Sequence, residues 1–160
     1  MKNKKILAGL LALLLAFVLS AVWQPASQPE TPATQPSTQV TQPQLEPDGS
    51  YTTKEDVALY IHLYGKLPGN FITKSQAKKL GWSSGGLEEY APGKCIGGDT
   101  FGNREGLLPK APGRTWTECD IDTMGKDSRG AKRIVFSNDG LVYYTDDHYK
   151  SFQLLYGEVD

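Results

Sequence analysis

The apolar residues of this chain change period once, and that change sets the class of fold. Up to about Trp82 they recur at helical spacing, and from Cys95 onward they follow the shorter period of strands. Thr53 precedes Lys54-Glu55-Asp56, which places acids in a first helical turn. Val57, Tyr60, Ile61 and Tyr64 then share one face until Gly65 stops the helix. Thr73-Lys74-Ser75-Gln76 has the spacing of a capping box, with Ala77 and Leu80 expected inward and Gly81 as the stop. A third, short helix is expected around Leu87 to Tyr90. Strands are expected near Cys95–Asp99, Arg114–Ile121, Arg133–Ser137, Val142–Thr145 and Ser151–Tyr156, with a hairpin at Asn138-Asp139-Gly140. Helices first and strands after imply an α+β domain, its N-terminal helices packed on one face of a roughly five-stranded antiparallel sheet.

The first 49 residues stand outside that domain. Lys2, Lys4 and Lys5 precede an almost wholly apolar run from Ile6 to Val22, the pattern of an export signal. Residues 1–23 are therefore expected to be a signal peptide, with a passable cleavage site after Ser20. The run is also close to the roughly 20 residues that span a bilayer, so a retained membrane anchor is the alternative. Residues 24–49 are rich in Pro, Gln, Thr and Ser, with no aromatic, and read as a disordered tether. The folded unit is expected over residues 50–160, in a secreted, extracellular protein.

The net charge is −1, so no global positive field marks a nucleic-acid binder, and any such role needs a local basic patch. The order of polar residues supplies one. Glu118 follows the expected strand residues Arg114-Thr115-Trp116-Thr117, His148 stands in Asp146-Asp147-His148-Tyr149, and Arg129 and Arg133 lie between. A carboxylate that takes a proton, an imidazolium that gives one and guanidiniums that hold charge form a set for phosphodiester cleavage without metal. Arginine suits the last role because its planar fork meets two phosphate oxygens at once. Lys74 falls in a first helical turn, where its charge opposes the macrodipole, a placement easier to understand if it serves a ligand. Asp120 is expected to orient Arg129 and Arg133. His62 reads as a surface residue, Trp82 and Trp116 as core.

Several blocks then coincide in order and spacing with one family. Lys66-Leu67-Pro68, Ile72-Thr73-Lys74-Ser75, Leu80-Gly81-Trp82, Ala91-Pro92-Gly93-Lys94, Ile96-Gly97-Gly98-Asp99, Asn103-Arg104-Glu105-Gly106, Gly113-Arg114-Thr115-Trp116 and Asp147-His148-Tyr149 resemble the barnase-like, guanyl-preferring microbial ribonucleases. The resemblance implies the microbial ribonuclease fold and a metal-free endoribonuclease that needs no cofactor. It implies Glu118 as general base and His148 as general acid, with Lys74, Arg129 and Arg133 around the phosphate. It implies a guanine-binding loop at Phe101, Gly102, Asn103, Arg104 and Glu105, with Tyr149 as an aromatic wall. Glu105 would accept from the guanine N1–H and amino group, and backbone amides near Asn103 and Arg104 would meet O6. Arg114 and Asp139 are expected to pair between strands.

The chain departs from the family pattern in a shorter loop at Ser83–Gly86, a longer one at Met124–Ser128, and Gly102 in place of serine. The expected partners are single-stranded RNA and a barstar-like acidic inhibitor meeting Lys74, Arg104, Arg129 and Arg133. A monomer is expected. An exported chain with two cysteines also suggests a disulfide, and the resemblance puts Cys95 and Cys119 on neighbouring strands, so a Cys95–Cys119 bridge behind the site is expected. The competing reading is a surface-tethered domain of the same fold that binds RNA or protein without cutting.

Overall fold

The computed structural model describes residues 44–159; the expected signal segment and most of the expected tether lie outside the described residues. Helix α1 runs Lys54–Tyr64, capped by Thr53, whose side chain accepts from the Asp56 amide, and closed by Gly65 in the left-handed region at φ 64°. Helix α2, Lys74–Lys79, opens with the full capping box of Thr73 and Gln76. The strands are β1 (Phe71–Ile72), β2 (Cys95–Phe101), β3 (Trp116–Asp120), β4 (Arg133–Ser137), β5 (Val142–Thr145) and β6 (Gln153–Tyr156). They form one six-stranded sheet in chain order. β1 joins β2 in parallel, a short strand that the sequence did not signal, and the remaining pairs are antiparallel.

Strand alternation divides the sheet into two faces. Cys119 and Ile121 join Ile134, Phe136 and Val142 under Val57, Ala58 and Ile61 of α1. Trp116, Val135 and Tyr143 point the other way and pack with Leu108, Leu141, Phe101, Tyr149 and Phe152. Glu118 and Asp120 alternate with Cys119, so they share the Trp116 face, with Asp120 opposite Arg133 in the register. The fold therefore collects the polar residues of β3 and β4 on the face that the helix does not cover.

Four expectations need correction. Leu87 to Tyr90 is a turn and not a helix, with the Tyr90 and Ala91 amides both donating to the Leu87 carbonyl. Leu80 is 53% exposed, because the helix ends at Lys79 and leaves only Ala77 of the expected pair inside. Packed structure starts before Ser50. Leu45 is buried, and its carbonyl and that of Pro47 accept from Tyr64 and Tyr60 at 2.7 and 2.6 Å.

The cysteines are the fourth. Both are buried free thiols, on β2 and β3 as expected. The register sets Gly97, not Cys95, opposite Cys119. A Cβ at Gly97 would meet the Cys119 Cβ at 2.6 Å, so the glycine is what lets these strands approach. Cys95 is two residues away along the strand, a diagonal neighbour typically about 7–8 Å distant, beyond comfortable bridging range. Burial raises both thiols above their ordinary value, Cys119 strongly, so each rests as the unreactive protonated form.

Candidate active site

Two linked clusters occupy the uncovered sheet face. In the first, the largely buried Glu118 carboxylate accepts from Lys74 Nζ at 2.5 Å through Oε1 and from the Tyr149 hydroxyl at 2.7 Å through Oε2. Lys74 is aimed there by the chain that carries it. Its amide, free in the first turn of α2, donates to Asp99 Oδ2 at 2.9 Å, and Asp99 lies opposite Glu118 in the β2–β3 register. Asp99 also puts a negative charge at the helix start, which offsets the unfavourable position of the lysine. Its part in the site had no sequence signal, since it depends on strand register.

Burial raises the Tyr149 phenol strongly, and the adjacent Glu118 carboxylate adds to the effect. The phenol is thus a fixed donor at neutral pH. Its ring stacks on Phe101 with centroids 5.2 Å apart, at the point where β2 runs into the Gly102–Glu105 loop. Tyr149 therefore couples that loop to Glu118 through one rigid side chain.

The second cluster centres on Asp120, which is 1% exposed. Arg129 meets it as a fork, Nε to Oδ2 at 2.6 Å and Nη2 to Oδ1 at 2.8 Å. This pairing holds the guanidinium above its ordinary value, against the opposing effect of burial. Arg133 Nε lies 2.9 Å from Asp120 Oδ1, yet its N–H is not aimed at any acceptor, so the contact is Coulombic and not a hydrogen bond. Arg133, expected beside the phosphate, is almost wholly buried on this face. Its side chain is 2% exposed, and its other nitrogens donate to the carbonyls of Arg129, Gly130 and Lys132. It braces the loop that carries Arg129. Arg129 keeps 25% of its side chain exposed and is the guanidinium of the pair that solvent can reach.

His148 is exposed at the rim of this face, with its ring 5.0 Å from that of Tyr149. Its backbone, and that of Tyr149, are left-handed at φ 59° and 72°. For residues other than glycine such a conformation persists only where its surroundings impose it. Asp147 imposes it. Its carboxylate accepts from Thr145 Oγ1, the Lys150 and Ser151 amides and Ser151 Oγ at 2.6 to 3.0 Å. Thr145 Oγ1 in turn accepts from the Tyr149 amide at 3.1 Å. Asp147 is thus the knot of the loop that presents the histidine.

Those same bonds, chiefly from Ser151, hold the Asp147 carboxyl well below its ordinary value of 3.8. A carboxyl depressed by folding stabilises the protein above the unfolded-state pKa, and the contribution is lost as pH falls below it. Asp147→Asn is accordingly expected to lower Tm clearly near pH 6 and progressively less toward pH 2. Thermal melts across that range check this, and a constant difference between the two proteins would exclude the linkage.

The Gly102–Glu105 loop is partly as expected. Thr100 to Glu105 line a shallow concavity, with Arg104 and Glu105 exposed. Asn103, however, is turned inward. It donates through Nδ2 to the Leu108 carbonyl at 2.8 Å and accepts from the Leu108 amide at 3.0 Å. Its side chain thereby shapes the loop. Arg114 and Asp139 pair as expected, with Nε 2.8 Å from the carboxylate, and Trp82 and Trp116 are core residues.

A carboxylate, a lysine, a partly exposed arginine and a rim histidine on the open face of an α+β sheet are features of the microbial ribonuclease class. Residues 54–156 match the family model described as ribonuclease. The chain is 56% identical over 102 residues to a ribonuclease of Heyndrickxia coagulans, a stretch covering 62% of this chain and 93% of that one. It is equally identical over 102 residues to a ribonuclease of Bacillus intermedius, covering 62% of each. Guanyl-specific ribonuclease St of Saccharopolyspora erythraea is 44% identical over 57 residues, covering 36% of this chain and 56% of that one. The chain belongs to the ribonuclease family, and its activity is cleavage of RNA.

Proposed function

We propose that this protein is a secreted endoribonuclease that cuts single-stranded RNA 3′ of guanosine by acid–base transesterification, with no metal taking part. The observation that carries the reading is the Glu118 carboxylate, fixed by Lys74 and Tyr149 on a face that also holds Arg129 and His148. Glu118 takes the proton of the ribose 2′-hydroxyl. The 2′-oxygen bonds to phosphorus as the bond to the 5′-oxygen breaks, and His148 protonates the departing oxygen. The products are a 2′,3′-cyclic phosphate and a free 5′-hydroxyl. Hydrolysis of the cyclic ester follows with the two roles exchanged. RNA supplies the nucleophile, so neither a covalent enzyme intermediate nor a metal-bound water is required. Lys74 and Arg129 stabilise the charge that develops on the phosphate. Guanine preference follows from Glu105 and the loop amides, since adenine lacks the N1–H and 2-amino donors and would leave the carboxylate without partners.

The test uses the whole chain in EDTA on the dinucleotides GpN and ApN. GpN is expected to yield guanosine 2′,3′-cyclic phosphate, and ApN to react at least about 10²-fold more slowly. His148→Ala is expected to lose cleavage while still binding RNA. Folded protein that binds RNA and cuts neither dinucleotide would transfer the case to the tethered binding domain.

A further inference from the structure

The two loops that depart from the family pattern touch each other in this chain. The Gly86 amide donates to the Asp127 carbonyl at 2.7 Å, joining the Ser83–Gly86 loop to the Met124–Ser128 loop. A Cβ on Gly86 would lie 1.9 Å from the Lys126 carbonyl oxygen and 2.8 Å from the Asp127 carbonyl carbon. Those are backbone atoms and cannot swing aside. The requirement is one of space, because Gly86 is not in the left-handed region. The contact falls immediately before Arg129. Trp82, at the start of the first loop, is buried among Ala77, Leu87 and Ile96 and donates from Nε1 to the Gly85 carbonyl at 3.2 Å. Its ring also lies beneath the Arg129 guanidinium, 5.8 Å from the centroid.

We propose that Gly86 is a positioning residue for Arg129, acting through the 124–128 loop, with Trp82 as the floor on which the guanidinium rests. The inference rests on the reading of Arg129 as the phosphate-binding arginine. Asp120 fixes one edge of the guanidinium, but a fork bonded at one edge still pivots unless its backbone is held. Gly86 supplies that hold. The shorter first loop and the longer second loop thus form a matched pair, the glycine admitting the extra backbone.

The experiment compares kcat and KM on GpN for the whole chain and for Gly86→Ala, Trp82→Phe, Arg129→Ala and the Gly86→Ala/Arg129→Ala double variant, with Tm for each. Trp82→Phe keeps an aromatic floor and removes the bond to Gly85, so it serves if Gly86→Ala fails to fold, paired with Arg129→Ala in the same way. Gly86→Ala is expected to lower kcat about tenfold or more with KM little changed, since a displacement near 1 Å can cost about 10²-fold. In the Arg129→Ala background the same change is expected to cost less than about twofold, because there is no guanidinium left to misplace. Equal losses in both backgrounds, or no loss in either, would overturn the proposal while leaving the phosphate role of Arg129 intact. Full activity of Arg129→Ala would instead remove that role, and the positioning role with it.

Discussion

Glu118→Ala is expected to reduce kcat for GpN cleavage by about 10²- to 10⁴-fold, the usual contribution of a positioned proton acceptor. The pH–rate profile should also lose its acidic limb, which reports the base. Glu118→Gln is a harder test than its size suggests. The carboxylate has a donor on each oxygen, Lys74 on one and Tyr149 on the other. An amide can accept on one side only and must turn its own N–H groups toward the second donor. The glutamine variant is therefore expected to be as inactive as alanine, and no more stable despite its closer shape. Steady-state kinetics with melting curves decide the matter. If either variant kept more than about a tenth of the parent kcat, Glu118 would not be the base.

The second large effect concerns stability. Asp120 is the single carboxylate that two guanidiniums share, and its side chain is 2% exposed. Removing one member of a buried charge cluster typically costs about 3–5 kcal/mol, because the charge left behind has lost both water and partner. Asp120→Ala leaves two such charges, and Arg133 has almost no solvent access. The expected result is a fall in Tm of more than about 10 °C for a domain of this size, together with loss of cleavage as Arg129 swings free. Replacing Arg129 as well should restore part of the stability and none of the activity. Calorimetry on the single and double variants checks this, and a fall in Tm of only a few degrees for Asp120→Ala would mean that water reaches the cluster.

The sequence was most informative where structure is decided locally. Thr53 and Thr73 cap helices because a threonine side chain needs only its own next residues as partners. Strands β4 and β5 fall on the expected residues because a tight turn at Asn138-Asp139-Gly140 fixes where both begin and end. The family resemblance brought Glu118, Lys74 and Tyr149 forward, and they do meet. What escaped depends on contacts made elsewhere. A one-position irregularity between Gly97 and Asp99 shifts the β2–β3 register and brings Asp99 opposite Glu118, while the pairing of Gly97 with Cys119 leaves Cys95 two residues away. No period in the sequence encodes it. The side chains of Asn103 and Asp147 bond backbone groups a few residues away, contacts that no sequence spacing announces. Arg133 looks like Arg129 in sequence, but it is buried among backbone carbonyls whereas Arg129 forks onto Asp120 and reaches solvent.

The segment just before α1 gives the domain a mechanical grip on whatever chain precedes it. Tension applied at residue 44 first meets the Tyr64 bond to Leu45, then the Tyr60 bond to Pro47. Next comes the pair of bonds between Tyr51 and Asn70. These restraints follow one another along the chain, and the first two pass load into the later turns of α1 through Tyr64 and Tyr60. Every residue of the proposed catalytic machinery lies farther along the chain than the last of them. A tug on the amino-terminal side is thus absorbed, step by step, ahead of the working parts.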